Sequence, residues 1–130
     1  MNKYLGVDFG LKNIGLAISD DSGKVAFPLV VLKNSKNLIN QISEICNEKN
    51  IKTLVLGESK DFSGAENPIM ESIRAFRDDF LKVSNISVVF YPEFLTSVEA
   101  KRFTGENDMH DASAAALILQ SYLDKINSKN

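Results

Sequence analysis

Cysteine, histidine, arginine and long apolar runs are all scarce in this chain, and each scarcity narrows what it can do. The single cysteine, Cys46, cannot close an intrachain disulfide. Its place on the apolar stripe of an expected helix marks a buried structural thiol, not a nucleophile. The single histidine, His110, stands beside Asp111 and reads as an ordinary surface or core residue, not a general base. Only Arg74, Arg77 and Arg102 are arginines, so most cationic charge is lysine, and the net charge is −2. Such a balance lacks the overall basic footprint of many nucleic-acid-binding proteins, although a local patch can sit within a neutral total. No apolar run approaches the roughly 18 residues of a membrane span. The opening Met1-Asn2-Lys3 runs straight into a strand with no signal peptide, so a cytoplasmic protein is expected. Repeats, linkers and low-complexity segments are absent.

At 130 residues the chain suits one domain with a real core. That domain is expected over 1–126, with 127–130 as a frayed tail. Alternation of apolar and polar residues predicts strands at about 3–9, 14–19 and 25–32. Asp20-Asp21-Ser22-Gly23 is a strong hairpin turn, and Pro28 suggests an edge position or a bulge. The period then becomes helical. Leu38, Ile39, Ile42, Ile45 and Cys46 form one stripe, with Ser35 a candidate N-cap. Thr53–Gly57 reads as a short central strand and Glu58–Glu66 as a polar loop. Asn67-Pro68 opens a helix striped by Ile69, Ile73, Phe76 and Phe80. Ile86–Tyr91 is a fifth strand, Thr96-Ser97-Val98-Glu99 a capping box, and 109–125 the last helix. The order βββαβαβαα implies an α/β fold, with a mixed five-stranded sheet and helices on both faces. The first and fourth strands should lie side by side, their C-terminal ends opening onto one ligand-binding edge.

Three carboxylates fall at that edge. Asp8 ends an apolar strand, Glu93 follows another, and Asp111 precedes the apolar run Ala112–Leu123. Each alone has a plainer reading. Asp8 suits an Asx-turn, Glu93 a solvated loop acid, and Asp111 a first-turn acid facing a helix dipole, with Asp108 as N-cap. Together they would need a cationic partner, and a hard divalent metal with oxygen ligands is the natural one. Lys12 could meet a phosphate or stand exposed in its turn. Gly10, Gly57 and Ser59 are candidate substrate contacts at the same edge. Glu58 and Asp61 could line it, a solvated loop being the default. Asp20 and Asp21 read as turn residues.

The stretch Val7-Asp8-Phe9-Gly10-Leu11-Lys12-Asn13-Ile14-Gly15-Leu16-Ala17-Ile18-Ser19-Asp20 resembles the opening motif of the YqgF/RuvX family, Holliday junction resolvases with an RNase H-like fold. Val55-Leu56-Gly57, then Gly64 and Phe76, resemble its central strand, glycine loop and following helix. Glu93–Ala100 and Asp111–Leu123 resemble its two later motifs. The resemblance covers nearly the whole chain. It implies a nuclease with two Mg²⁺ or Mn²⁺ ions held by Asp8, Glu93 and Asp111. Its substrate would be structured RNA, as in 5′-end maturation of pre-16S rRNA, or branched DNA, for which a homodimer is expected. The chain departs from the family where arginine usually stands at Asn13 and where Asp-Glu-Arg usually stands at Pro92-Glu93-Phe94. It also lacks the usual Leu-Pro at Glu58-Ser59 and the basic stretch before Asp111. Phosphate-facing cations are thereby thinned, which leaves room for a different class of function, a silent binding protein of ribosome maturation or transcription. Asp8-Phe9-Gly10 also resembles the first phosphate loop of sugar kinases and actins, but 130 residues cannot supply the two domains those need.

Overall fold

The computed structural model describes residues 3–60, 68–94 and 109–128; for Ser59, Lys60, Glu93, Phe94 and Met109–Asp111 it describes the backbone alone. Strands β1 (Tyr4–Phe9), β2 (Asn13–Ser19) and β3 (Ala26–Lys33) form an antiparallel meander. Helix α1 (Leu38–Lys49) leads to β4 (Thr53–Lys60), which pairs parallel to β1. Helix α2 (Met70–Val83) leads to β5 (Ser87–Phe94), parallel to β4. Helix α3 (Met109–Asn127) follows. The sheet order is β3-β2-β1-β4-β5, so β1 is central and β1 and β4 are neighbours, as expected.

Strand alternation sorts the core into two layers. Leu5, Val7, Leu54 and Leu56 face α1 and α2, where Ile42, Cys46, Ile73, Phe76 and Phe80 are buried with them. The opposite face presents Ala17 and Val55 to Ala115, Ile118, Leu119 and Leu123 of α3. Gly6 lets that helix come close. A Cβ there would lie 2.8 Å from Leu119 Cβ and 3.0 Å from the Ala115 carbonyl oxygen. The far half of α3 is stitched to the β2–β3 hairpin. Gln120 accepts the Ala26 N–H at 2.9 Å and donates to the Lys24 carbonyl at 2.9 Å. Asn127 donates to the Gly23 carbonyl at 2.9 Å.

Pro28 does sit on an edge strand, and the β2–β3 register shifts beside it between Leu16 and Ala17. Asp20 and Gly23 shape the hairpin turn. Asp20 Oδ1 accepts the N–H groups of Lys24 and Val25, Oδ2 accepts the Ser22 hydroxyl, and Gly23 takes φ 71°. Several boundaries differ from expectation. Ser35 does not cap α1; the cap residue is Asn37, and the Ser35 hydroxyl accepts its N–H in the preceding turn. Asn50 does end α1, in the left-handed region. Pro68 lies in a turn before α2, not at its first position, because Ile69 is the N-cap. Asn127, expected in a frayed tail, is the last residue of α3. The expected capping box at Thr96–Glu99 lies outside the described residues. No helix among those described is long and apolar enough to cross a membrane.

Candidate active site

Asp8 is the next-to-last residue of β1, and its side chain is half-buried. Tyr4 and Gly6, four and two residues earlier, face α3: the Tyr4 ring lies 5.8 Å from that of Tyr122, and Gly6 meets Leu119. Alternation therefore puts Asp8 on the α3 face. Its cross-strand partner on β2 is Gly15, and one step past the Val7–Leu56 pair the level residue of β4 is Gly57. Asp8 is thus flanked on both sides by residues without side chains, which leaves the carboxylate a broad approach at the strand end.

The ladder continues outward. Gly57 is level with Tyr91 of β5, and Ser59 with Glu93. Tyr91 packs with α3, its ring 6.1 Å from that of Tyr122, so position 93, two residues on, shares that face by register. Glu93 lies inside β5, not after it, because Pro92–Phe94 pair with Glu58–Lys60. For the same reason Glu58 begins no loop. It is a strand residue of opposite parity to Gly57 and sits on the α1–α2 face, away from Asp8.

Helix α3 runs antiparallel to β1. Tyr122 is over Tyr4, and Leu119 and Ala115 are over Gly6. Two more strand residues, about 6.6 Å, reach Asp8. One more helical turn, about 5.4 Å, reaches position 111. The first turn of α3, which contains Asp111, therefore lies toward the Asp8 end of the sheet. Strand register thus sets positions 8 and 93 on the α3 face, and the packing of α3 turns its first turn, with position 111, toward the same end. The side chains of Glu93, His110 and Asp111, and all of Asp61, lie outside the described residues. Among the described residues no group of three His, Cys, Asp or Glu could hold a metal.

The β1–β2 turn closes this end. Gly10 is required there, since a Cβ would lie 2.5 Å from the Asn13 carbonyl oxygen. Lys12 is exposed in the turn, and Gly57 is buried in β4. Asn34 clamps the turn from the end of β3, donating its amide to the Gly10 carbonyl at 3.0 Å and its N–H to the Lys12 carbonyl at 2.9 Å. No local signal marks Asn34; only the meander returns it to a turn more than 20 residues earlier. Lys33, also unmarked, pairs in register with Asn13.

The profile of the RuvX family, described as Holliday junction resolvase, matches residues 2–125. The chain belongs to the RuvX family. Within it, the chain is 36% identical to a protein of Endomicrobium trichonymphae named "Putative pre-16S rRNA nuclease", over 95% of this chain and 96% of that one. It is 33% identical to a protein of the same name from Thermoanaerobacter pseudethanolicus, over 98% and 99%. Solved structures share the fold. Thermus thermophilus RuvC in complex with a Holliday junction substrate superposes with a TM-score of 0.59 at 14% identity, covering 98% of this chain and 96% of that one. Fowlpox virus resolvase with its junction DNA gives 0.58 at 17% identity, covering 95% and 98%. This RuvX-family chain therefore has the RNase H-like fold of the resolvases.

Proposed function

We propose that this chain is a cytoplasmic, metal-dependent nuclease that cuts phosphodiester bonds in structured RNA, with 5′-end processing of pre-16S rRNA as its role. The observation that supports the reading is the strand register that sets positions 8 and 93 on the α3 face, with Asp8 flanked by Gly15 and Gly57, together with the seating of α3 on Gly6, which turns its first turn toward the same end. A set of three carboxylates is a donor set suited to Mg²⁺ or Mn²⁺. Asp8, Glu93 and Asp111 would hold the metal. Bound there, a pair of such ions supplies an activated water and charge stabilisation at the leaving oxygen. The chain's own contribution is rigidity, since two of the three acids are on β1 and β5, which flank β4 in one sheet, and the third is on a helix seated against Gly6. Gly10, Gly57 and Ser59 would let the substrate backbone approach, and Lys12 would meet a phosphate. Lys33, opposite Asn13, restores a cation near the position where the family usually has arginine.

The names borne by the relatives favour the RNA substrate. The fold shared with resolvases bound to junction DNA supports branched DNA as the second reading, which would call for a symmetric homodimer. The test is cleavage of a pre-16S leader and of a four-way DNA junction, side by side, with Mg²⁺ or Mn²⁺ and with Asp8→Asn as control. Cutting of the leader that disappears in Asp8→Asn is the expected result. Cutting of the junction alone would move the assignment to DNA. No cutting of either by a folded, metal-loaded protein would leave a silent binding protein.

A further inference from the structure

The end of the sheet opposite Asp8 carries a pocket of about 280 Å³ lined by Lys3, Asp21, Lys49, Asn50 and Lys52. Three of these five residues are lysines, in a chain whose net charge is −2. The backbone fixes all three. Lys3 and Lys52 immediately precede Tyr4 and Thr53, which are level in the β1–β4 ladder, and the Lys52 N–H bonds the Lys3 carbonyl at 2.9 Å. Lys49 ends α1, and Asn50, at φ 57° and ψ 45°, turns the chain back toward β4. A lysine in the last helical turn complements the helix dipole, but that accounts for Lys49 alone. Lys3 pairs with Asp21 at 3.4 Å, while Lys49 and Lys52 have no carboxylate partner among the described residues. Three ammonium groups share one acid, so the pocket carries an excess of positive charge.

We propose that this pocket is a second backbone-phosphate site for the nucleic-acid substrate. It rests on the nuclease reading and deepens it. Lys3 is five residues before Asp8 on β1, a span of about 17 Å. By parity Asp8 lies on the α3 face and Lys3, like Leu5 and Val7, on the α1–α2 face, so a substrate engaged at both ends of β1 must pass round the sheet and present phosphates at least that far apart, as a folded RNA does. The chain would then hold its substrate at the cutting end through few cations and at the far end through Lys3, Lys49 and Lys52.

The test is fluorescence anisotropy with a labelled pre-16S leader stem across a potassium chloride series in EDTA. Wild type is compared with a triple Lys3→Gln, Lys49→Gln, Lys52→Gln variant and with Asp21→Asn, circular dichroism confirming each fold. Removing one lysine–phosphate pairing lowers the slope of log affinity against log salt by about 0.7–0.9. The triple variant should therefore lose about two from that slope and bind at least tenfold more weakly at low salt, while Asp21→Asn should bind more tightly. An unchanged slope in the folded triple variant, or no binding of the stem by wild type, overturns the proposal. So does an unchanged RNA slope when tripolyphosphate shifts the NMR signals of these lysines, which would assign the pocket to a small polyanion. Because EDTA removes the metal, this outcome is independent of cleavage, and a protein that binds as expected yet never cuts refutes the nuclease reading alone.

Discussion

Replacing Gly6 by alanine adds a single methyl where β1 touches the backbone of α3. That methyl would lie 2.8 Å from Leu119 Cβ and 3.0 Å from the Ala115 carbonyl oxygen. Carbon pairs settle at about 3.5–4.0 Å, so the helix has to rise by roughly 0.7–1.2 Å. Neither obstacle is the free end of a side chain, so neither can swing aside. Overpacking of this kind costs about 1–3 kcal/mol, read as a lower urea midpoint. The same movement carries the first turn of α3, with Asp111, away from the Asp8 end of the sheet. A misplacement of about 1 Å can cost on the order of 100-fold in rate. Gly6→Ala should therefore lose far more cleavage, measured under single turnover where the variant is fully folded, than its folded fraction explains. Leu119→Ala is the control. It leaves the Cβ and the backbone in place, so combining it with Gly6→Ala should not restore the rate. A Gly6→Ala protein with wild-type urea midpoint and wild-type rate would refute the seating of α3 on β1.

Other outcomes follow from the same structure. The Asp20 carboxyl is lowered from 3.8 to about 2, first by the Ser22 hydroxyl and then by the Lys24 and Val25 amides. A depressed folded-state pKa gives stability that is present above about pH 4 and lost as pH falls through 2. Asp20→Ala should thus lower the urea midpoint at pH 6 by an amount that shrinks as pH falls from about 4 through 2; a gap constant with pH would contradict this. Burial pushes the Cys46 thiol up to about 11, so a thiol reagent at pH 8 should label it only as fast as the protein opens, and rapid labelling of folded protein would contradict its burial. Gln120→Ala strips partners from the Ala26 N–H and the Lys24 carbonyl. It should cost about 1–3 kcal/mol in denaturant titrations, and a neutral result would mean that α3 is not tied to the hairpin.

The sheet was legible because β1, β2 and β4 obey strict alternation or central apolar runs, and the Asp20–Gly23 turn has one good solution. Helix stripes were equally readable, since Ile73, Phe76 and Phe80 recur at helical spacing and are buried. The features that escaped depend on partners distant in sequence. Glu58-Ser59-Lys60 reads as a polar loop, yet ladder pairing with Pro92–Phe94 extends both strands. Composition reports solvent preference, whereas the ladder satisfies the backbone. Ser35 has a residue type that suits a cap, but the preceding turn uses its hydroxyl instead. At the candidate site, Asp8 and the turn after it are marked by strand-end position and by Gly10. Asn34 and Lys33 carry no local mark, and the pairing of Asp8 with Gly15 emerges only from the register.

Everything proposed for the cutting end depends on Asp8, Glu93 and Asp111 sharing one metal site at the end of the α3 face. Calorimetric Mn²⁺ titration of wild type, Asp8→Asn, Glu93→Gln and Asp111→Asn, each confirmed folded, tests this without reference to any substrate. Wild type should bind Mn²⁺, and each substitution should weaken binding at least tenfold. Wild-type affinity retained in Asp8→Asn, or in Asp111→Asn, would show that the three acids do not share a metal.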